Sequence, residues 1–305
     1  YIRSRCTTLN RPTSTLECTA PMENIIAVRA WQHEGYEKRE PVCPKHPQAQ
    51  AVQVEIGEEE AVMTAGKVSV HVNLKEWGYH FEADGKVLTR CGFHNLGYAR
   101  WDRTPSTMFP ADNYMMENGK PYMVNELSLQ VGENVYGFGE RFTSFVKNGQ
   151  VVDTWNEDCG TAAQVAYKSV PFYMTNKGYG IYVDHTDNVS FEVASEKVEY
   201  VGFSVPGEEL KYCFIYGPTP KEILNAYTSY TGRPALPPAW SFGLWLSTSF
   251  TTNYDEETTS SFIQGMPERE IHLSVIHFDC SWHKDFQWCH FNWDKSEIYN
   301  TDGRM

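Results

Sequence analysis

Residues 210–246 read LKYCFIYGPTPKEILNAYTSYTGRPALPPAWSFGLWL, and the fold turns on a change of period inside this stretch. As far as Tyr216, large apolar residues recur at every second position (Leu210, Tyr212, Phe214, Tyr216), the spacing of a strand with one buried face. From Pro218-Thr219-Pro220 the spacing lengthens. Ile223, Leu224 and Tyr227 fall on one side of a helix that opens where proline is tolerated and closes at Thr231-Gly232-Arg233-Pro234. Pro237-Pro238 then forms a stiff connector into a short apolar strand over Ser241–Ser247.

Upstream of this stretch, period-2 alternation dominates. Val52, Val54 and Ile56 alternate with Gln53 and Glu55, and Val68, Val70, Val72 and Leu74 with Ser69, His71 and Asn73. Trp77, Tyr79 and Phe81 run into Asp84-Gly85, a hairpin turn signal, and on to Val87 and Leu88. Leu127-Leu129-Val131, Tyr179-Ile181-Val183 and Val189-Phe191-Val193 repeat the pattern between turns such as Asn176-Lys177-Gly178. Many short strands with little helical period predict a β-sandwich over residues 1–217.

Downstream, Asn253 with Glu256 three residues on has the form of a capping box, predicting a helix of about twelve residues that Gly265 and Pro267 stop. A second apolar strand follows over His272–Asp279. Strand, helix and strand at this spacing predict a βαβ unit with parallel strands, the alternative being an antiparallel α+β arrangement. Residues 218–305 thus read as a linker helix and the start of an α/β domain.

The 305 residues carry 26 Lys and Arg against 39 Asp and Glu, a net charge of −13. That charge disfavours nucleic acid as a partner, and no apolar run approaches the roughly 20 residues of a membrane span. The eight cysteines are scattered without a C-x-x-C pair and read as reduced thiols of a cytoplasmic protein, disulfides being the alternative. The sequence opens on Tyr1 rather than Met and closes on the turn-like Thr301–Met305, so both ends look cut. The run Glu58-Glu59-Glu60 reads as a solvated turn.

In a βαβ architecture, ligands meet the carboxyl ends of the strands. There the sequence places Ser247-Thr248-Ser249-Phe250 and Phe278-Asp279-Cys280-Ser281-Trp282, with Trp288 and Trp293 close behind. A carboxylate among aromatic rings suits a sugar, whose hydroxyls donate to the acid while ring faces cover its apolar side. The plainer readings are a turn-forming Asp and core tryptophans. His277, Cys280, His283, Cys289 and His290 invite a zinc site, but their spacing matches no compact ligand pattern. Tyr136-Gly137-Phe138-Gly139-Glu140 has two of the three glycines of a dinucleotide fingerprint and no helix after it, so these glycines read as strand bulges or close approaches.

Taken in order, Tyr136–Arg141, Asp153–Asp158, Pro171–Asn176, Tyr230–Trp240, Gly243–Leu246, Ser249–Tyr254, His277–Cys280 and Phe286–Cys289 resemble family 31 of the glycoside hydrolases, and most closely its bacterial α-xylosidases. The resemblance implies a galactose-mutarotase-like β-sandwich followed by the truncated start of a (β/α)8 TIM barrel. It also implies retaining hydrolysis of α-linked xylose, with no cofactor and no metal. In the family, the nucleophile follows the fourth barrel strand and the acid/base comes after the sixth. No catalytic carboxylate therefore falls within these residues, and the chain alone is expected to be inactive, with apolar faces uncovered.

What carries over is the substrate-binding edge. Asp279 matches the residue that binds hydroxyls of the sugar in the cleaved position, and Asp158 lies on a loop of the first domain that reaches over the pocket. Phe250, Cys280 and Trp288 match pocket-wall positions. In α-xylosidases the Cys is usually followed by Phe, and here Ser281 takes that place, which opens α-glucosidase-type specificity as an alternative. The substrate implied is an oligosaccharide with non-reducing α-linked xylose or glucose, and the full-length family members tend to be homo-oligomers. A non-catalytic carbohydrate-binding or structural sandwich module is the competing function.

Overall fold

The computed structural model describes residues 14–32, 45–101, 120–156, 167–249, 252, 254–284, 287 and 289–293. The chain divides into two compact units, Tyr1–Arg233 and Pro234–Met305.

The described residues of the first unit form three antiparallel sheets. A six-stranded sheet runs β1 (Thr15–Met22), β2 (Ile25–Trp31), β16 (Glu209–Tyr216), β13 (Tyr179–Val183), β12 (Ser169–Thr175), β10 (Val135–Gly139). A five-stranded sheet runs β11 (Gln150–Asp153), β14 (Ser190–Val193), β15 (Tyr200–Pro206), β9 (Lys120–Ser128), β8 (Leu96–Trp101). The third is a meander of β3 (Gln53–Ile56), β4 (Glu60–Ala65), β5 (Val68–Asn73), β6 (Tyr79–Ala83) and β7 (Lys86–Cys91).

One apolar core joins the three sheets. Val68 and Val70 of β5, Met123 and Leu127 of β9, Phe203 of β15 and Phe214 of β16 all belong to it and are sealed from solvent. Phe81 stacks on Phe214 at 4.1 Å between ring centroids. A polar node sits inside this core. The Tyr79 hydroxyl donates to Asn125 Oδ1 at 2.8 Å and lies 2.9 Å from the Tyr212 hydroxyl, so one side chain from each sheet shares a hydrogen-bonded cluster. Burial pushes the Cys91 and Cys213 thiols up to about 12, which keeps them protonated and unreactive near neutrality.

The alternation read from the sequence holds in detail at β5 and β6, where Val68, Val70, Tyr79 and Phe81 are buried and the residues between them half-buried. Asp84 and Gly85 both have positive φ, 50° and 69°, as the two-residue hairpin turn requires. At β3 the outcome differs: Val54 and Ile56 are 61% and 78% exposed, β3 being the edge of its sheet with no layer of the described residues over it. Gly137 and Gly139 mark a register shift between β10 and β12. A Cβ at Gly139 would sit 2.0 Å from the Lys168 carbonyl oxygen, so these glycines serve close strand approach.

Helix α1 (Pro220–Thr231) packs on the six-stranded sheet and belongs to the first compact unit, although the sequence period alone groups it with the α/β segment after it. Thr219 caps it: its hydroxyl accepts from Glu222 N and donates to Glu222 Oε2 at 2.7 Å, with Pro220 in the first turn. The buried side chains are Ile223 and Tyr230, whereas Leu224, expected on the inner face, is 41% exposed. Phe172 and Tyr227 stack at 4.1 Å across the helix–sheet contact.

In the second unit a 3-10 turn (Ala239–Phe242) leads into β17 (Leu244–Leu246), then α2 (Glu256–Glu268) and β18 (Leu273–Ile276). The two strands are parallel, with Leu246 opposite Ile276, as the βαβ reading requires. Both expected ends of α2 are corrected. The N-cap is Asp255, whose side chain accepts from Thr258 N at 2.8 Å; Asn253 lies outside the described residues. Gly265 and Pro267 lie within the helix, and it ends where Glu270 takes φ 59°. Ile271 N then donates to the Met266 carbonyl and Glu270 N to that of Pro267, the paired bonds of a Schellman motif without its usual glycine. Pro267 lacks the N–H that would bond the Ile263 carbonyl, and the helix runs only one residue past it.

Candidate functional site

The carboxyl ends of β17 and β18 lie side by side, and His277 N donates to the Leu246 carbonyl at 2.8 Å, carrying the ladder one residue past β18. Alternation then sends neighbouring side chains to different partners. The His277 ring lies 6.4 Å from that of Trp245, and the Phe278 ring 5.0 Å from that of Tyr254. Asp279 follows at the strand end and opens a 3-10 turn over Cys280–Trp282. Its Oδ1 accepts from Cys280 N at 2.6 Å, so it is a turn former, in keeping with the plainer reading. That bond also fixes the carboxylate, whose remaining lone pairs can accept from hydroxyls.

Tyr254, 4% exposed, is the residue that holds this end together. Its hydroxyl accepts from Asp279 N at 2.9 Å and donates to the Ser249 carbonyl, so one phenol joins the loop after β17 to the end of β18. Ser249 itself has a φ of 51°, a conformation uncommon outside glycine. Tyr254 closes the quoted Ser249–Tyr254 motif, yet nothing in its local sequence marks a phenol as the tie between two loops.

Cys280 is a free, half-buried thiol in the turn. Ser281 lies in the same turn by its backbone, and its side chain lies outside the described residues, as do Phe250, Trp288 and Asp158 as a whole. The histidines considered as zinc ligands have other neighbours. Trp282 packs edge-on against the buried His283 at 4.1 Å, and His290 Nε2 contacts Gln287 Oε1.

The first unit contributes a cleft of about 450 Å3, bordered by Trp155, Asn156, Ser169, Tyr182 and Asp184. Trp155 and Asn156 stand immediately before the segment that carries Asp158, and Trp155 is half exposed. Another part of its wall is electrostatically braced. Asp184 accepts from Lys45 at 3.0 Å and from the Tyr182 hydroxyl at 3.1 Å, with Lys211 at 3.4 Å. Burial alone would raise the Asp184 carboxyl, but Lys45, Lys211 and the Tyr182 bond outweigh it and hold it below the usual carboxylate range.

An antiparallel β-domain followed by a parallel βαβ unit fits a protein that carries a β-domain ahead of an α/β domain, a barrel among the folds of that class. The chain belongs to glycoside hydrolase family 31. The model of the family's N-terminal galactose mutarotase-like domain matches residues 15–192, and that of its TIM-barrel domain residues 234–305. The α-xylosidase XylQ of Lactiplantibacillus pentosus is 44% identical over all 305 residues, which span 38% of that protein. An α-xylosidase of Emericella nidulans is 43% identical over 316 aligned positions, covering the whole chain and 40% of the relative. Among solved structures, a family 31 dextranase of Flavobacterium johnsoniae has a TM-score of 0.76 at 21% identity, over 95% of this chain and 34% of that one. A family 31 α-xylosidase from a soil metagenome, complexed with xylose, has a TM-score of 0.70 at 21% identity, over 93% of this chain and 41% of that one. At such identity the structural likeness speaks for the fold alone.

Proposed function

We propose that this chain is the N-terminal part of a retaining α-xylosidase that releases α-linked xylose from the non-reducing end of oligosaccharides. The observation that carries the reading is identity of 44% and 43% along the whole chain with two α-xylosidases. The chemistry is a double displacement by two carboxylates about 5–5.5 Å apart, a nucleophile and an acid/base, both supplied by the rest of the barrel. The residues in hand form the substrate edge. Asp279 accepts from hydroxyls of the xylose in the cleaved position, and Tyr254 fixes the backbone that presents it. Phe250, Cys280, Ser281 and Trp288 match the pocket-wall positions of the family, and Asp158 matches a position that contacts the sugar.

No helix among the described residues is long and apolar enough to cross a membrane. Free thiols at Cys18, Cys91, Cys213, Cys280 and Cys289 support a reducing, cytoplasmic setting, and the net charge of −13 speaks against nucleic acid. The whole enzyme acts as a homo-oligomer.

Ser281 favours a second reading at the level of the sugar. A hydroxyl-bearing side chain in place of an aromatic one leaves space for the hydroxymethyl group of glucose, so α-glucosides compete. The test compares kcat/KM of the whole protein on aryl α-xyloside and aryl α-glucoside, before and after Ser281→Phe. The substitution is expected to raise the xylose-to-glucose ratio about 10–200-fold. An unchanged ratio would remove Ser281 from the pocket wall, and turnover of neither substrate would overturn the glycosidase reading.

A further inference from the structure

Far along the chain from Asp279, the meander of the first unit lines up three metal-ligating side chains on one face. His71 of β5 and His80 of β6 are direct cross-strand partners. Val62 of β4 pairs with His71, which places Glu60 on the diagonal of the same face. The two imidazoles stack at 4.7 Å with 13° between their planes, and Glu60 Oε2 lies 3.1 Å from His71 Nδ1. One ligand atom from each of the three residues lies within 4.8 Å of the other two, and among the described residues no other group of three does so.

We propose that Glu60, His71 and His80 bind a divalent transition ion of the zinc class. Two imidazole nitrogens and one carboxylate oxygen are a donor set for zinc, nickel or copper, whereas calcium and magnesium take oxygen ligands. Ligands bonded tetrahedrally at about 2.0–2.2 Å stand roughly 3.3–3.5 Å apart. Glu60 and His71, at 3.1 Å, stand slightly closer than that spacing, and the stacked His80 ring joins the set by shifting and tilting, the three ligand atoms now lying within 4.8 Å of one another. Outer support is present as well: Ser69 Oγ lies 2.9 Å from His71 Nε2, so a proton on Nε2 bonds Ser69 and turns a bare Nδ1 toward Glu60.

The surroundings hold the ligands in place. His71 has only 18% of its side chain exposed. Val68, Val70, Tyr79 and Phe81 anchor β5 and β6 from the other face, so the ligands stand on a rigid sheet. The neighbouring Glu58 and Glu59 add negative charge beside the site.

The test is calorimetric titration of the chelator-stripped chain with zinc chloride, repeated with magnesium chloride. The expected result is saturable binding of zinc with one site lost in the His71→Ala/His80→Ala variant, kept in His94→Ala and absent for magnesium. Ser69→Ala should weaken that site about 10–100-fold through loss of ring orientation. Zinc binding of equal stoichiometry and affinity in the double variant would overturn the proposal. So would the absence of saturable binding in the unsubstituted chain, leaving Glu60, His71 and Ser69 as a hydrogen-bonded row only.

Discussion

At the scale of single residues, the chain spends its polar groups on holding two loops still. Tyr254 is the clearest case, since its hydroxyl answers Asp279 N and the Ser249 carbonyl together. Tyr254→Phe in the whole enzyme should leave both groups unpaired and lower kcat/KM on aryl α-xyloside about tenfold, the scale of one buried hydrogen bond. Asp279→Ala should abolish measurable turnover while the circular dichroism spectrum stays unchanged. Asp184 makes a prediction in pH. Its folded-state pKa is depressed, so its ion pairs stabilise fully above the ordinary carboxylate range and the contribution is lost as pH falls through the depressed value. Asp184→Asn should therefore cost about 1–3 kcal/mol at pH 7, discounted from a fully buried pair because Lys211 is a third exposed. Urea midpoints of the two proteins should converge as pH falls through that depressed value. Asp279 is legible in the sequence because a carboxylate ending an apolar strand among aromatics is a local pattern. Tyr254 and Asp184 are not, because their partners arrive from distant segments.

At the scale of elements, local chemistry reads both ends of α1 and neither end of α2. The cap of α1 lies in four consecutive residues, Thr219 to Glu222, and Thr219→Ala should cost about 1 kcal/mol in a denaturant melt. The end of α2 escapes a local reading because glycine and proline in a final turn do not stop a helix. The chain leaves it at Glu270, in a left-handed conformation. Glu270→Gly should raise stability by roughly 0.5–1 kcal/mol by removing that strain, and an unchanged or lower melting temperature would count against the Schellman ending. For strands, alternation reports which residues share a face and says nothing of whether a layer covers it. The exposed Val54 and Ile56 of β3 alternate as faithfully as the buried Val68 and Val70 of β5. Likewise Leu244 and Trp245 of β17 are 42% and 50% exposed, although they form an apolar strand.

At the scale of the whole molecule, the number of sheets and their order are not encoded in period. β2 pairs with β16, as at Arg29 opposite Lys211, and no local pattern specifies a partner so far along the chain. The three sheets meet at Tyr79, Asn125 and Tyr212, and Tyr79→Phe should cost about 1–3 kcal/mol by leaving Asn125 Oδ1 only the weak Cys91 thiol donor at 3.6 Å inside an apolar core. The parallel start of the barrel is legible, because strand, helix and strand at that spacing leave one common topology. Catalysis is legible only by family, since no local pattern in these residues marks a catalytic carboxylate pair. Retaining hydrolysis of α-xylosides is tested most directly by proton NMR of the xylose first released from an aryl α-xyloside by the whole protein. The α-anomer is expected, appearing before mutarotation. Release of the β-anomer, or no release at all, would contradict it.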